Sequence, residues 1–538
     1  MLKREISTMN ILIVSAGGMI GSGWLFSPYI SAQLAGPNAL MSWIIAALFM
    51  VIIALPLCEL GAMFPVSGGM SNYPTYTHGK DVGFLFAWTS WLAYVVMTPI
   101  EIQAILQYGS HFFPQLIQVN TSTLTLSNEG YVVAIGIMFF VVLLNSYGIK
   151  LLAECNKYAS LLKFILPSIA IVSLMSFAPH WQHLSMHLSN KQSWVEILTA
   201  LSSGGVIFAF TGFQNGLMLA GEVQNPQRNL PIAILGAVFI GFILYFMLQL
   251  SFLVAIPDAY LTQGWHHLHY PGSNGPLVGL TLLLGMSVVA LMLMVDAAFA
   301  PFGTTLVYTA ATSRIVYGMA LNHHLPALFL KVNRHNIPYV TLYANFFVGI
   351  LSFLPFPGWQ KLVAFLSSAS ILSYSIGPLC LLAMRKIQPD TQRAFKLRWP
   401  HFFSHVAFYL CNLMLYWCGF TILWKLDLAL LVGLVLSKIV HQQRSISAPL
   451  SWFIAYMLVI LGMSAIGSFG GIAWLRFPWD LLCLLPLSSV LLLASQYVVC
   501  IESFSVQPQD RQQTDGVYAE PQAQEPALDH VSRLDINL

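Results

Sequence analysis

The sequence predicts an all-α membrane protein of about fourteen transmembrane helices, built around two inverted sets of five with one broken helix in each set. Three observations carry this. Of 538 residues, 57% are hydrophobic and only 8% are charged, where a soluble domain has about 25% charged. The first apolar segment is interrupted in its middle by Gly17-Gly18-Met19-Ile20-Gly21-Ser22-Gly23. The sixth is interrupted likewise, at Phe210-Thr211-Gly212-Phe213-Gln214-Asn215-Gly216.

Such interruptions matter because backbone N–H and C=O groups in a bilayer must find partners without water. Irregular backbone at that depth is tolerated only inside protein or along a watery cavity. The alternative reading is that the glycines merely let helices pack closely, as small residues do in membrane bundles. Two breaks five spans apart argue against it, because that is what duplication of a five-span unit produces. Five is odd, so the second copy must lie upside down.

A span needs about 20 residues. On that measure apolar segments fall near 11–34, 39–63, 83–108, 131–148, 157–178, 197–220, 231–256, 277–302, 339–355, 360–384, 404–424, 426–440, 450–470 and 478–500. Residues 1–10 form a short cytoplasmic start, and the core runs over 11–400, its two repeats at about 11–178 and 197–384. Extra membrane helices occupy 401–500. The first segment is too long for a cleaved signal peptide and has no small-residue cleavage site. A polar, glycine-rich piece from Phe64 to about Asp81 follows the second span on the inner side. The outer loop over 109–130 has no Lys or Arg. Residues 501–538 are rich in Gln, Asp, Glu and Pro and are expected to be a disordered cytoplasmic tail.

With the N-terminus inside, the inner segments hold 18 of the 23 basic residues: Lys3, Arg4, Lys80, Lys150, Lys157, Arg228, Arg314, Lys331, Arg334, Arg385, Lys386, Arg393, Lys396, Arg398, Lys438, Arg444, Arg511 and Arg533. The outer loops hold Lys191, Lys361, Lys425 and Arg476. Positive residues gather on the cytoplasmic side, so both termini are placed there, in a bacterial-type inner membrane. The remaining one, Lys163, lies inside a span. The seven cysteines, Cys58, Cys155, Cys380, Cys411, Cys418, Cys483 and Cys500, form no C-x-x-C pair and read as small apolar residues.

The chain resembles the amino acid–polyamine–organocation permeases. The resemblance rests on Gly21-Ser22-Gly23, on Glu59 to Gly69, on Asn225-Pro226-x-Arg228-x-x-Pro231 and on Arg314-x-x-Tyr317-Gly318-Met319-Ala320, and covers about residues 8–440. The run Gly21 to Phe26 and the longer, fourteen-span form are similar to the bacterial aspartate/glutamate transporter branch. The resemblance implies the LeuT-type fold and proton-coupled or exchange transport of amino acids.

An α-amino acid presents a carboxylate beside an ammonium. The N-terminus of the second half of span 1 offers N–H groups and a positive dipole end to the carboxylate, at Ser22, Gly23 and Trp24 after Gly21, with the Ser22 hydroxyl as one further partner. Carbonyls near Met19 and Ile20, and near Phe210 and Thr211 before Gly212, suit the ammonium. By resemblance Phe208 matches an aromatic lid over bound substrate; ordinary packing is the alternative. Lys163 matches, by resemblance, a lysine that takes the place of a sodium ion and bridges spans 1 and 5. An intramembrane ammonium is in any case a functional candidate, although six residues of helix, about 9 Å, would let a lysine snorkel to the inner interface. Glu101 and Asp296 lie deep enough to relay protons, to contact substrate or to pair with a polar neighbour. Glu59 and Glu222 stand at cytoplasmic ends, where structural or gating roles fit better. Many family members have a glutamate where this chain has Gln214, which cannot titrate.

His266, His267 and His269 lack accompanying cysteines or carboxylates and read as an exposed loop, so no metal and no cofactor is expected. There is no phosphate loop, nucleotide fingerprint or nucleophile–base motif. The chain is therefore not expected to be an enzyme or to bind nucleic acid, and its energy would come from gradients. The expectation is an amino acid:proton symporter working by alternating access, the bundle of spans 1, 2, 6 and 7 rocking against spans 3–5 and 8–10. Acidic amino acids are favoured by resemblance alone, because Lys163 is the only intramembrane cation. An amino acid or polyamine exchanger and a non-transporting sensor are the alternatives, and the oligomeric state is left open.

Overall fold

The computed structural model describes residues 4–499 other than 5, 66–69, 71, 121, 122, 148, 178, 187–190, 392 and 442–446. The expected tail over 501–538, the glycine-rich end of the Glu59–Gly69 motif, and Lys3, Arg444, Arg511, Arg533 and Cys500 lie outside the described residues, as do the side chains of Lys150, Cys155, Lys157 and Lys191.

The first apolar segment forms α1 (Thr8–Met19) and α2 (Gly23–Ala35). A turn at Gly36–Asn38 leads into α3 (Ala39–Met63). The third segment is the pair α4 (Tyr73–Val95) and α5 (Met97–Gly109). It begins ten residues earlier than the apolar pattern suggests. Tyr73, Thr77 and His78 are buried there, so tertiary burial overrides the polar composition, and Gly79 supplies the kink at φ 81°. The loop without basic residues contains a two-stranded antiparallel hairpin, β1 (Ile117–Asn120) and β2 (Thr123–Leu126), that the sequence reading missed. Next come α6 (Asn128–Ser146) and α7 (Ile149–Ser176).

The sixth segment is broken into α8 (Lys191–Ser203), α9 (Val206–Phe210) and α10 (Asn215–Met218). Then follow α11 (Pro226–Ala255), α12 (Pro276–Leu283) and α13 (Ser287–Leu321). The last was expected to end near 302, yet it is 35 residues long and runs through the Arg314 motif to Leu321, because its Thr304, Thr305, Thr309, Thr312 and Ser313 face protein. The remaining helices are α14 (Tyr339–Ser352), α15 (Trp359–Tyr374), α16 (Ile376–Ile387), α17 (Pro400–Trp417), α18 (Phe420–His441), α19 (Ala448–Ile466) and α20 (Trp479–Tyr497).

Among the described residues nine helices are long and apolar enough to cross a membrane, and a tenth is the pair over 192–203 and 206–218, bent by 47°. Three shorter apolar helices accompany them. The spans Tyr73–Gly109 and Trp359–Ile387 are wholly buried along their apolar windows and form the centre. The outer helices show large apolar side chains to their surroundings, among them Val132, Phe239, Ile243, Leu291 and Phe347. Serines, threonines and carboxylates turn inward instead. That inside-out distribution suits a lipid solvent, in which polar groups must be satisfied within the protein.

The two broken segments pack on each other. α1 packs on α10, and α2 packs on α9. α3 packs most extensively on α11, and α5 on α13. The appended α17 lies against α3, α15 and α16, while α18 and α19 lie against α4.

Candidate functional site

α1 ends at Met19 because Ile20 leaves helical geometry (φ −87°, ψ 85°). In the other broken segment α9 ends because Thr211 is extended (φ −68°, ψ 140°) and Gly212 has φ 118°. Gly212 is required twice over. Its φ is one that side chains rarely adopt, and a Cβ there would stand 2.4 Å from the Gly18 carbonyl. The two breaks therefore touch, backbone to backbone.

Protein groups occupy several of the peptide groups of the first break. The Ser22 N–H donates to both carboxylate oxygens of Glu101, at 3.1 and 2.9 Å. Glu101 comes from α5 and is fully buried. It lies so close that a Cβ on Gly21 would be 2.4 Å from its Oε1. The Met19 carbonyl accepts from the Tyr245 hydroxyl of α11 at 2.8 Å and from the Gly21 N–H at 3.1 Å. The Ser22 hydroxyl accepts from Trp359 Nε1 at 3.0 Å.

At the second break the Phe208 carbonyl accepts from both the Thr211 N–H (2.9 Å) and its hydroxyl (2.6 Å). Gln214 turns back, and its Oε1 accepts from the Gly212 N–H at 2.8 Å and from the Tyr374 hydroxyl at 3.0 Å. The neutral amide thus holds the break as a capping acceptor. The Tyr94 hydroxyl donates to Asn215 Oδ1 at 2.8 Å.

Phe208 lies over Gly23, whose Cβ would meet its ring at 3.1 Å. It also meets Trp359 edge to face at 5.7 Å. Phe26 stacks obliquely on Trp359 at 4.7 Å and meets Tyr108 at 5.2 Å. The Tyr108 hydroxyl donates to the Leu25 carbonyl at 2.9 Å. Together these rings close one side of the break; the buried Trp24 lies on the same half-helix. Phe210 packs on Trp43 and Tyr245, and Phe213 on Tyr374. Among these, Trp359, Tyr108 and Tyr245 were not legible from the sequence. Each reaches the break from a distant helix, and none stands in a pattern that marks it.

Lys163 is 3% exposed, so it does not snorkel. Its ammonium donates to the Gly17 carbonyl of α1 at 3.3 Å and to Thr304 Oγ1 of α13 at 2.8 Å. Glu101 and Asp296 both act on it electrostatically. Asp296 is buried, and neither of its oxygens has a hydrogen-bond partner among the described residues. Glu101 and Lys163 thus bond directly to the first broken segment, and Asp296 acts on it through Lys163.

The other predicted positions fall elsewhere. Glu59 is fully buried and takes a two-pronged pair from Arg385, at 2.9 and 2.7 Å. Arg393 approaches it at 3.4 Å, and the Leu397 N–H donates to it at 2.8 Å. The Glu222 carbonyl accepts from the Ile6 N–H, and the Gln224 N–H donates to the Ile6 carbonyl, each at 3.0 Å. The loop histidines are dispersed, His266 on the Gln33 carbonyl at 2.9 Å and His269 on Ser273 at 3.0 Å.

Against known proteins, residues 6–466 match the amino acid permease family. The chain is 32% identical to a glutamate/serine transporter of Bacillus subtilis, over 91% of this chain and 93% of the relative. It is 34% identical to an aspartate-proton symporter of the same bacterium, over 89% of this chain and 94% of the relative. A branched-chain amino acid permease of B. subtilis is 25% identical over 82% of this chain and 94% of its own length.

Proposed function

The chain belongs to the amino acid permease family of the amino acid–polyamine–organocation superfamily, and from that premise we propose that it carries an amino acid together with a proton by alternating access, with aspartate and glutamate as favoured substrates. Its family and its several long apolar helices make it a multi-pass membrane protein. The observation that carries the reading is the meeting of two interrupted helices, which brings peptide N–H and C=O groups together at one point inside the apolar core.

In this reading fourteen segments cross the inner membrane, both termini are cytoplasmic, and the core is a LeuT-type inverted repeat. The antiparallel pairing of α1 with α10 and of α2 with α9 supports the inversion. So does the packing of span 2 on span 7 and of span 3 on span 8 through α3–α11 and α5–α13, since repeats related by a two-fold axis bring equivalent elements face to face. The placement of the basic residues supports the orientation.

The substrate carboxylate would take the N–H groups at Ser22, Gly23 and Trp24, where the dipole of α2 presents its positive end. The ammonium would take carbonyls at Met19, Ile20, Phe210 and Thr211. Phe208 would cover it, together with Trp359. Lys163, Glu101 and Asp296 would together form the proton-coupling group: the charge of Lys163 holds α1 to α7 and α13 through Gly17 and Thr304, and a change in the protonation of this group would release that bond. The names of the relatives support the acidic preference.

A ligand screen tests the reading. Purified protein is melted in the presence of each amino acid and of polyamines. Aspartate and glutamate are expected to stabilise it, by about 2.7 kcal/mol at a hundred times the dissociation constant. Stabilisation by polyamines alone would overturn the substrate class.

A further inference from the structure

We infer that Glu101 is a built-in stand-in for the substrate's α-carboxylate, occupying the Ser22 N–H until it accepts a proton and yields its place. This rests on the proposed substrate site and adds what fills that site when it is empty.

The physical requirement comes first. A half-helix that starts inside the bilayer leaves N–H groups that water cannot reach, and each unsatisfied group is costly there. An empty carboxylate cradle therefore needs a temporary occupant. The structure supplies one of the right chemistry: a carboxylate, fully buried, with both oxygens on one N–H at 3.1 and 2.9 Å. Gly21 leaves the room for it, since a Cβ there would stand 2.4 Å from Oε1. The ammonium side is filled in the same way. The Met19 carbonyl, which the zwitterion's ammonium would seek, is held by the Tyr245 hydroxyl at 2.8 Å and the Gly21 N–H at 3.1 Å. Acceptor and donor positions are thus occupied by protein groups with the same hydrogen-bond sense as the two ends of an amino acid.

Charge decides how the exchange is made. Glu101 interacts electrostatically with Lys163 of α7 and with the phenols Tyr245 of α11 and Tyr308 of α13, and Lys163 interacts in turn with Asp296 of α13. Among the described residues Lys163 is the one cation set against these two carboxylates. A substrate carboxylate entering beside an ionised Glu101 would put two anions at one helix end, in a medium that screens them poorly. A protonated Glu101 loses its claim on the N–H and carries no charge. Binding of the amino acid therefore takes up a proton at the carboxylate it displaces.

The test is binding of radiolabelled L-aspartate to the purified full chain from about pH 6 to pH 8, for the native protein and for Glu101→Gln. Glutamine keeps the size and an acceptor oxygen but is permanently neutral. For the native protein the affinity is expected to weaken by up to about tenfold per pH unit where one proton is taken up. For Glu101→Gln it is expected to stay nearly level, and at pH 8 to exceed the native affinity by about tenfold or more. A native slope persisting in Glu101→Gln would place the proton on Lys163 or Asp296 and overturn the inference. Loss of binding at every pH with unchanged melting would also overturn it, by making Glu101 a required partner. If the glutamine variant does not fold, Glu101→Asp, one methylene short of Ser22, should bind more tightly than native at pH 8; native affinity there overturns the inference. L-isoasparagine, the α-amide of aspartate, separates the two levels. Rejection of it with a persisting slope removes only the role of Glu101, whereas binding as tight as that of aspartate removes the carboxylate cradle itself.

Discussion

At the scale of single residues, the first break works through what glycine leaves out. Gly21 is where a carboxylate comes closest to the backbone, and Gly23 is where Phe208 rests. Gly21→Ala should therefore weaken amino acid binding by about tenfold, equal to 1.4 kcal/mol, while membrane insertion survives. Equal affinity in a binding titration would remove Gly21 from the site. The interruption itself was legible because glycine, serine and threonine at membrane depth have no other ready explanation. Glu101 and Lys163 were legible as intramembrane charges. Their partners were not. The bond from Glu101 to Ser22 spans 79 positions and that from Trp359 to Ser22 spans 337, and contacts at such separations leave no periodicity in the chain. Gln214 was read only as a group that cannot titrate, and its use as an internal cap became visible with the fold.

At the scale of elements, the helices respond to burial more than to composition. The apolar windows located α3, α11 and α19 within a few residues, because lipid-facing helices advertise themselves by hydropathy. They missed the start of α4 and the second half of α13, where buried threonines and tyrosines replace the apolar signal. One clasp ties elements together at the end of α3: Glu59 holds Arg385 of α16 and the loop at Leu397. Removing one partner of a buried ion pair leaves the other uncompensated, at about 3–5 kcal/mol. Glu59→Gln should lower the melting temperature of the purified protein markedly, with Glu59→Asp intermediate. Melting identical to native would show that the clasp holds nothing.

At the scale of the whole molecule, the charged cluster and the two breaks are enclosed by apolar helices, and the proposed symport would draw its energy from a proton gradient. Uptake into proteoliposomes should collapse when a protonophore is added and persist when sodium is withdrawn. Lys163→Ala should abolish accumulation driven by an imposed pH difference; retained accumulation would free Lys163 of the coupling role. The appended helices brace this core from one side, with Trp88 donating to the Ala429 carbonyl at 2.9 Å and Lys438 paired to Asp81 at 3.3 Å. One small feature bears on how the chain is made. Ile6 forms a parallel β-bridge with Val223, and Val223 leaves the ribosome only after all the apolar helices that stand between the two. Ile6 must therefore wait, without its bridge partner, until the second interrupted helix has been made.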